Sequence, residues 1–269
     1  MIDAHTHLHP PRLFAAIRRW FAEKSTWGIE HQPTEPADVA AALRAAGVER
    51  FIFFSYAHKP GMARDINEWL AQTARELGGA GIPLATVHPG DPEYVRDLEL
   101  ALDAGCAGLK LHEDVQRVTV DDPRLDPIYK RIAARGGVLL AHVGPIPWSD
   151  PIGGAARVEC VVQRHPQLKV VVAHMGAPES SAYFALMARH ANLYLDTTMA
   201  FAPASPFALS FDASQIAAHA GRILYGTDFP NIPYAYGEER VGLERLALSA
   251  PELHAILHDN AARLFANFW

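Results

Sequence analysis

The chain has 269 residues, of which 49% are hydrophobic and 20% charged, and its formal net charge is -6. This length suits one large α/β barrel or two smaller domains. The acidic balance and the lack of long same-sign runs exclude a basic nucleic-acid surface and a polybasic lipid-binding stretch. No stretch approaches the ~18 consecutive apolar residues of a membrane span. We therefore expect no nucleic-acid or membrane partner, and a small molecule as the ligand.

The two cysteines, Cys106 and Cys160, are too few for a disulfide framework. The N-terminus also lacks a basic region followed by an apolar run, as a secretory signal would have. Together these features predict a cytoplasmic protein whose two thiols are reduced and buried.

Eight short β-type runs recur along the chain, separated by segments with helical patterns. The runs are nearly continuous in apolar residues rather than alternating, which is typical of parallel strands covered on both faces. Between them, "PADVAAALRAAG" begins at Pro36 and ends at Gly47, a common arrangement of helix start and stop residues. The predicted strands are "MIDAH", "RFIFFSY" (50–56), "PLATVHP" (83–89), "CAGLKLH" (106–112), "GVLLAHV" (137–143), "LKVVVAH" (168–174), "NLYLDTT" (192–198) and "RILYGTD" (222–228).

Eight strands alternating with helices in 269 residues predict an α/β fold, a single (β/α)8 TIM barrel spanning 1–269. An open doubly wound sheet is the alternative, but it usually carries a glycine-rich phosphate loop after its first strand. The segment "DAHTHLHPPR" has no such loop. Residues 10–35 are too long for a simple turn and form an elaborated first βα loop. That loop could cap the barrel mouth or pack as an extra surface helix.

Six histidines fall at or just past the carboxyl ends of predicted strands, which converge on one mouth in a barrel. His5 and His7 are two residues apart, so a strand directs both side chains to the same face, where they could share a divalent ion. Asp228 supplies a carboxylate at the last strand end. Three imidazoles and one carboxylate make a plausible Zn²⁺ set with an open position for water. The six are His5, His7, His88, His112, His142 and His174.

Six segments together resemble the amidohydrolase superfamily, and more narrowly its amidohydrolase-2 branch, which includes aminocarboxymuconate-semialdehyde decarboxylase. They are "DAHTHLH", "GLKLHEDVQ", "LLAHVG", "VVVAHMG", "GTDFP" and "NAARLF". The resemblance implies a distorted TIM barrel that binds one catalytic divalent metal ion, for which Zn²⁺ is our first expectation. It implies His5, His7, His142 and Asp228 as metal ligands, and places His174 beside the metal-bound water.

Roles for the remaining polar residues follow from their charge. Asp228 would accept a proton from the activated water and pass it to a leaving group, while His174 would orient the nucleophile or stabilise an oxyanion. Lys110 and His112 share a face of the fourth strand and could bind a substrate carboxylate, with Gln116 hydrogen-bonding nearby. For Lys110 and His112, purely structural hydrogen bonding is the open alternative.

These residues predict a metal-dependent hydrolase that acts on a C–N or C–O bond of a small, carboxylated substrate. A non-oxidative decarboxylase of the same branch is the first alternative. A catalytically inactive, ligand-binding barrel is the second. Barrels of this branch are often dimers, so a homodimer stays open as the assembly.

Overall fold

The computed structural model describes residues 1–24, 28–33, 35–144 and 153–269. Its strands and helices alternate along most of the chain. The strands are β1 (Ile2–His7), β2 (Arg50–Phe54), β3 (Gly81–Leu84), β4 (Gly108–His112), β5 (Val138–His142), β6 (Lys169–Val172), β7 (Leu193–Asp196) and β8 (Ile223–Leu224). The helices are α1 (Pro11–Lys24), α2 (Pro36–Ala45), α3 (Ala63–Glu76), α4 (Tyr94–Asp103), α5 (Glu113–Gln116), α6 (Asp126–Ala134), α7 (Gly154–Arg164), α8 (Ser180–Arg189), α9 (Ala213–His219), α10 (Glu238–Glu244), α11 (Ala250–His254) and α12 (Asn260–Leu264).

The strands pair in parallel and in chain order, as two sheets of β1–β3 and β4–β8. Two isolated parallel bridges join these sheets, one from Ala85 to Leu109 and the other from Thr6 to Phe229. At the first junction the Lys110 amide donates to the Ala85 carbonyl at 2.8 Å, and at the second the His7 amide donates to the Phe229 carbonyl at 2.8 Å. The eight strands therefore form a ring, and the predicted barrel is confirmed.

Strand side chains are buried on both faces, as the apolar runs predicted. In β5, Leu139 and Ala141 belong to the cluster shared with the surrounding helices. Val138 and Leu140 belong instead to the cluster of the barrel interior, together with Val171 of β6. Successive residues thus alternate between the barrel interior and the helical layer, which explains why both positions are apolar.

The last strand is shorter than its apolar run predicted, since β8 covers Ile223–Leu224 and not 222–228. Beyond Leu224 the chain crosses close to β1: a Cβ on Gly226 would lie 2.8 Å from the Cβ of His5. The Asp228 amide still donates to the His5 carbonyl at 2.9 Å. This close approach brings a carboxylate from the end of the chain beside the first strand.

The expectation of two buried thiols was wrong for one of them. Cys106 is buried, whereas Cys160 on α7 is exposed. Helix α7 directs Val158, Val161 and Val162 into the core, and Cys160 lies on the opposite side.

The predicted elaborated first loop contains α1, and residues 25–27 and 34 of it lie outside the described residues. Five side chains of α1 line the cavity at the carboxyl ends of the strands: Leu13, Ala16, Ile17, Trp20 and Phe21. Across the described part of the chain, every helix is too short or too polar to span a bilayer.

Candidate metal centre and active-site cavity

His5 and His7 of β1 meet Asp228, which follows β8, in a compact cluster. The Oδ1 atom of Asp228 lies 3.0 Å from His5 Nε2 and 2.7 Å from His7 Nε2. The two imidazoles are 1% and 2% exposed, while the Asp228 side chain is 15% exposed and reaches the cavity. One ligand atom from each of the three residues lies within 4.8 Å of the others, so these atoms could hold a metal ion.

The protonation state of this cluster fits a bound cation. His5 Nδ1 lies 2.8 Å from Asp196 Oδ2, and because a carboxylate only accepts, the Nδ1–H of His5 donates to it. Although burial and Lys110 act against it, the contacts with Asp196 and Asp228 raise the pKa of His5, so without a cation a second proton on Nε2 would be shared with Asp228 Oδ1. Although burial alone would raise the pKa of Asp228, its contacts with His7 and His5 hold that pKa well below its usual range. A divalent cation would take the place of the shared proton and be held by the Nε2 lone pair of His5 together with the Asp228 carboxylate.

His142 and His174 form a second imidazole pair beside this cluster. Burial lowers the pKa of His174 to about 4 and that of His142 well below its usual value, so both rings are neutral. His174 Nδ1 lies 3.1 Å from the Thr198 carbonyl, to which it donates. Its Nε2, 3.0 Å from His142 Nδ1, must then accept the His142 proton. This leaves a lone pair on His142 Nε2, as a metal ligand requires, although His142 lies outside the three-residue cluster.

Lys110 is fully buried, and its Nζ atom lies 3.2 Å from His5 Nε2 and 4.4 Å from the centroid of the Phe54 ring. Burial lowers the pKa of Lys110 to about 7, against the raising effect of Asp196 and Asp228. Lys110 therefore lies beside the candidate metal ligands and is not among the residues that line the cavity. Its predicted contact with substrate stays a prediction.

His112 lines the cavity and stacks on His142, with ring centroids 3.9 Å apart and planes inclined by 9°. Gln116 is buried and engaged with the backbone. Its side-chain amide donates to the Val87 carbonyl at 2.8 Å and accepts from the His112 amide at 2.8 Å. Gln116 thus shapes the end of β4, and substrate contact by its side chain also stays a prediction.

Two residues at this site were not singled out from the sequence. The Tyr56 hydroxyl lies 3.0 Å from His7 Nδ1, and Asp196 binds His5 as described above. Both occupy the polar end of a predicted strand run, "RFIFFSY" and "NLYLDTT". The strand-end position that marks the histidines therefore marks Tyr56 and Asp196 as well.

The cavity above the cluster has a volume of about 610 Å³, within the range of small-molecule sites. Its polar side is lined by His7, Tyr56, His112, His142, His174 and Asp228. The apolar part of the lining includes the five α1 side chains with Val115, Val143, Met199 and Phe207. Arg117 also lines the cavity, although its side chain is 82% exposed. Its Nη1 atom lies 2.8 Å from Asp114 Oδ1.

A second group that could hold a metal lies on the surface, near the end of the chain. It comprises His254, His258 and Asp259. The Nδ1 atom of His258 lies 2.8 Å from Asp259 Oδ1, and its Nε2 lies 2.8 Å from Glu49 Oε1. These side chains are 32–65% exposed, and the contacts are those of a surface ion-pair network. Any metal titration of this protein has to separate the two groups.

Comparison with protein families gives a match to the family described as amidohydrolase, over residues 2–266. No curated protein sequence matches the chain.

Solved structures show the same fold over nearly the whole chain. An uncharacterised TIM-barrel protein from Bordetella bronchiseptica is 23% identical, with 99% of each chain covered and a TM-score of 0.76. A dihydroxybenzoic acid decarboxylase from Polaromonas with bound manganese is 18% identical, covering 98% of this chain and 96% of that one, with a TM-score of 0.70. A probable 2-pyrone-4,6-dicarboxylic acid hydrolase from Acinetobacter baumannii is 12% identical, with 98% of each chain covered and a TM-score of 0.68.

Proposed function

Since the chain belongs to the amidohydrolase family, we propose that it is a mononuclear metal-dependent hydrolase of a C–N or C–O bond in a small, carboxylated substrate. One observation carries this proposal: Asp228 Oδ1 faces the Nε2 atoms of His5 and His7, and two of these residues, His7 and Asp228, line a cavity. That arrangement joins a cation site to a space that a substrate can enter.

His5, His7 and Asp228 would hold the metal, with His142 as the predicted fourth ligand. Bound there, a divalent ion would lower the pKa of a coordinated water and polarise the scissile carbonyl. Zn²⁺ is our first choice because two or three imidazoles and one carboxylate suit it. Mn²⁺ is the second, since manganese is bound in the Polaromonas decarboxylase.

Asp228 is the proposed proton carrier. Its carboxylate is ionised and reaches the cavity, so it can take a proton from the attacking water and return it to the leaving group. His174 stays neutral over the working pH range and holds His142 through the 3.0 Å contact. In this geometry His174 fixes the orientation of its neighbour and borders the reacting group.

The walls of the cavity indicate the form of the substrate. The apolar face built by α1 would accept the carbon skeleton, and the histidine-lined face would receive the bond to be cleaved. The Arg117 guanidinium could pair with a substrate carboxylate at the cavity wall. Burial holds the pKa of His112 well below its usual value, so His112 would offer that carboxylate a neutral N–H donor.

Non-oxidative decarboxylation is the second candidate. The Polaromonas enzyme shares this fold and is named as a decarboxylase of dihydroxybenzoic acid. The same cation site and proton carrier could protonate a ring carbon before CO₂ leaves, and the apolar wall would suit an aromatic ring.

Assays of ring opening, amide cleavage and CO₂ release test these candidates on one panel of lactones, amides and ortho-hydroxylated aromatic acids. We expect hydrolysis of a panel member by the Zn²⁺- or Mn²⁺-loaded protein. Asp228→Asn should lower kcat/KM by at least about 10²–10⁴-fold, the usual contribution of a positioned proton carrier, because it also removes a proposed metal ligand. His258→Gln, at the surface cluster, serves as the control and should retain activity.

CO₂ release without hydrolysis would replace the first candidate by the second. Tight metal binding without turnover of any panel member would favour an inactive ligand-binding barrel. An active Asp228→Asn variant would show that the proton carrier is misassigned.

A further inference from the structure

Asp196, the last residue of β7, contacts two functional histidines through different oxygen atoms. Its Oδ2 accepts from His5 Nδ1 at 2.8 Å. Its Oδ1 accepts from the backbone amides of His174 at 2.9 Å and Thr198 at 3.2 Å. The side chain is fully buried and lies outside the cavity lining, so it acts through its neighbours rather than on a substrate.

We propose that Asp196 is a positioning residue that selects the tautomer of His5 and thereby makes His5 Nε2 available to the metal. This inference rests on the proposed metal centre. Neutral imidazole carries one proton, and the residue that accepts it decides which nitrogen keeps the lone pair. Asp196 Oδ2 lies 2.8 Å from Nδ1 and Asp228 Oδ1 lies 3.0 Å from Nε2, so once a metal occupies the Nε2 side, the remaining proton of His5 is held at Nδ1 by Asp196.

The same carboxylate anchors the segment that carries His174. That residue has φ +56°, in the left-handed region that costs a non-glycine residue free energy. The His174 amide donates to Asp196 Oδ1 and so holds this conformation in place. The Asp196 side chain therefore fixes the tautomer of His5, the first proposed metal ligand. It also fixes the backbone conformation of His174, which contacts His142.

An asparagine at this position would reverse the tautomer of His5. Two amides, those of His174 and Thr198, donate to the Oδ1 position, so that position has to remain an oxygen. The side-chain NH₂ of Asp196→Asn must then face His5 and donate to Nδ1, which forces the proton of His5 onto Nε2. A protonated Nε2 cannot bind a metal, although the shape of the site is preserved.

The chain offers a matched control in Asp126, which also binds an imidazole. Asp126 Oδ1 lies 2.8 Å from Nε2 of the buried His165, on the helical layer. Asp126→Asn thus removes the same type of contact from a histidine that is remote from the cluster. Both variants should be made in a His258→Gln background, which removes the surface cluster from the metal titration.

Two measurements test the proposal. Mn²⁺ titration followed by electron paramagnetic resonance should give a dissociation constant 10–100-fold weaker for Asp196→Asn and unchanged for Asp126→Asn. ¹⁵N NMR of the chelator-treated protein, with the pH raised until His5 is neutral, should show His5 protonated at Nδ1 in the parent and at Nε2 in Asp196→Asn, with the His5 signals assigned by their absence in His5→Gln.

Unchanged Mn²⁺ affinity in folded Asp196→Asn would overturn the proposal. So would a neutral His5 that is protonated at Nε2 instead of Nδ1 in the parent protein, a measurement that needs no folded variant. If the parent binds no Mn²⁺, the proposed metal-dependent function fails, while the NMR result still decides the role of Asp196.

Discussion

Binding of a divalent metal should raise the melting temperature of the chelator-treated protein, and Asp228→Asn should abolish this rise. A ligand that binds only the native state stabilises it by about 2.7 kcal/mol when its free concentration is 100 times its dissociation constant. In the native state the ligand atoms of His5, His7 and Asp228 already lie within 4.8 Å of one another, whereas His7 and Asp228 are 221 positions apart in the chain. The metal should therefore discriminate strongly between the two states.

The size of the effect follows from the length of the chain. At about 2.1 cal/mol/K per residue near 60 °C, 269 residues have an unfolding entropy of about 0.56 kcal/mol/K. A gain of about 2.7 kcal/mol then corresponds to about 5 °C. Differential scanning calorimetry with Zn²⁺ or Mn²⁺, before and after chelation, measures it directly.

The control separates the buried cluster from the surface one. His258→Gln removes a central member of the surface group and should retain the full rise of about 5 °C. Asp228→Asn keeps the side-chain shape but loses the charged ligand, so its melting temperature should not respond to metal. The opposite pattern, a response lost in His258→Gln and kept in Asp228→Asn, would refute the assignment of the metal centre.

Two further predictions concern groups outside the metal cluster. His9 is buried with its Nδ1 2.8 Å from Ser55 Oγ, and burial holds the pKa of His9 well below its usual value. Its proton is thus bound more readily by the unfolded chain, so stability relative to His9→Gln should fall as the pH drops below about 6.5, by at most about 1.4 kcal/mol per pH unit. Urea unfolding at several pH values measures the slope, and a difference that does not vary with pH would contradict the effect of burial. In native protein one thiol, that of Cys160, should react with a disulfide reagent, because Cys106 is buried and its pKa is raised to about 12. Two thiols should react after denaturation, and labelling of Cys106 in the native protein would show that its site opens.

Much of the fold could be predicted from the sequence because parallel strands leave a strong local signal. Runs such as "GVLLAHV" are apolar at every position before the histidine, since one set of side chains fills the barrel and the other meets the helices. Strand ends were predicted less well. The chain after Leu224 continues toward β1 without regular pairing, and no local pattern reports how closely Gly226 passes His5.

Candidate site residues followed from position alone: a polar residue at the carboxyl end of a barrel strand points to the mouth. This rule selected His5, His7 and Asp228, which the structure brings together. Asp196 also follows this rule but was not selected, because the role of a buried carboxylate depends on the side chains that it contacts. The rule also could not decide whether Gln116 faces a substrate or the backbone.

The sequence by itself determined the barrel, the family resemblance and the residue types available at its mouth, because these depend on local patterns and their order. Only the tertiary structure decided how the protons are shared among these residues. The tautomer of His5 depends on Asp196, 191 residues away, and that of His142 depends on His174 and the Thr198 carbonyl. Hydrogen-bond partners so distant in sequence are set by strand packing. For this reason "MIDAHTHLHP" shows where a metal could bind, and β7 decides which nitrogen of His5 would bind it.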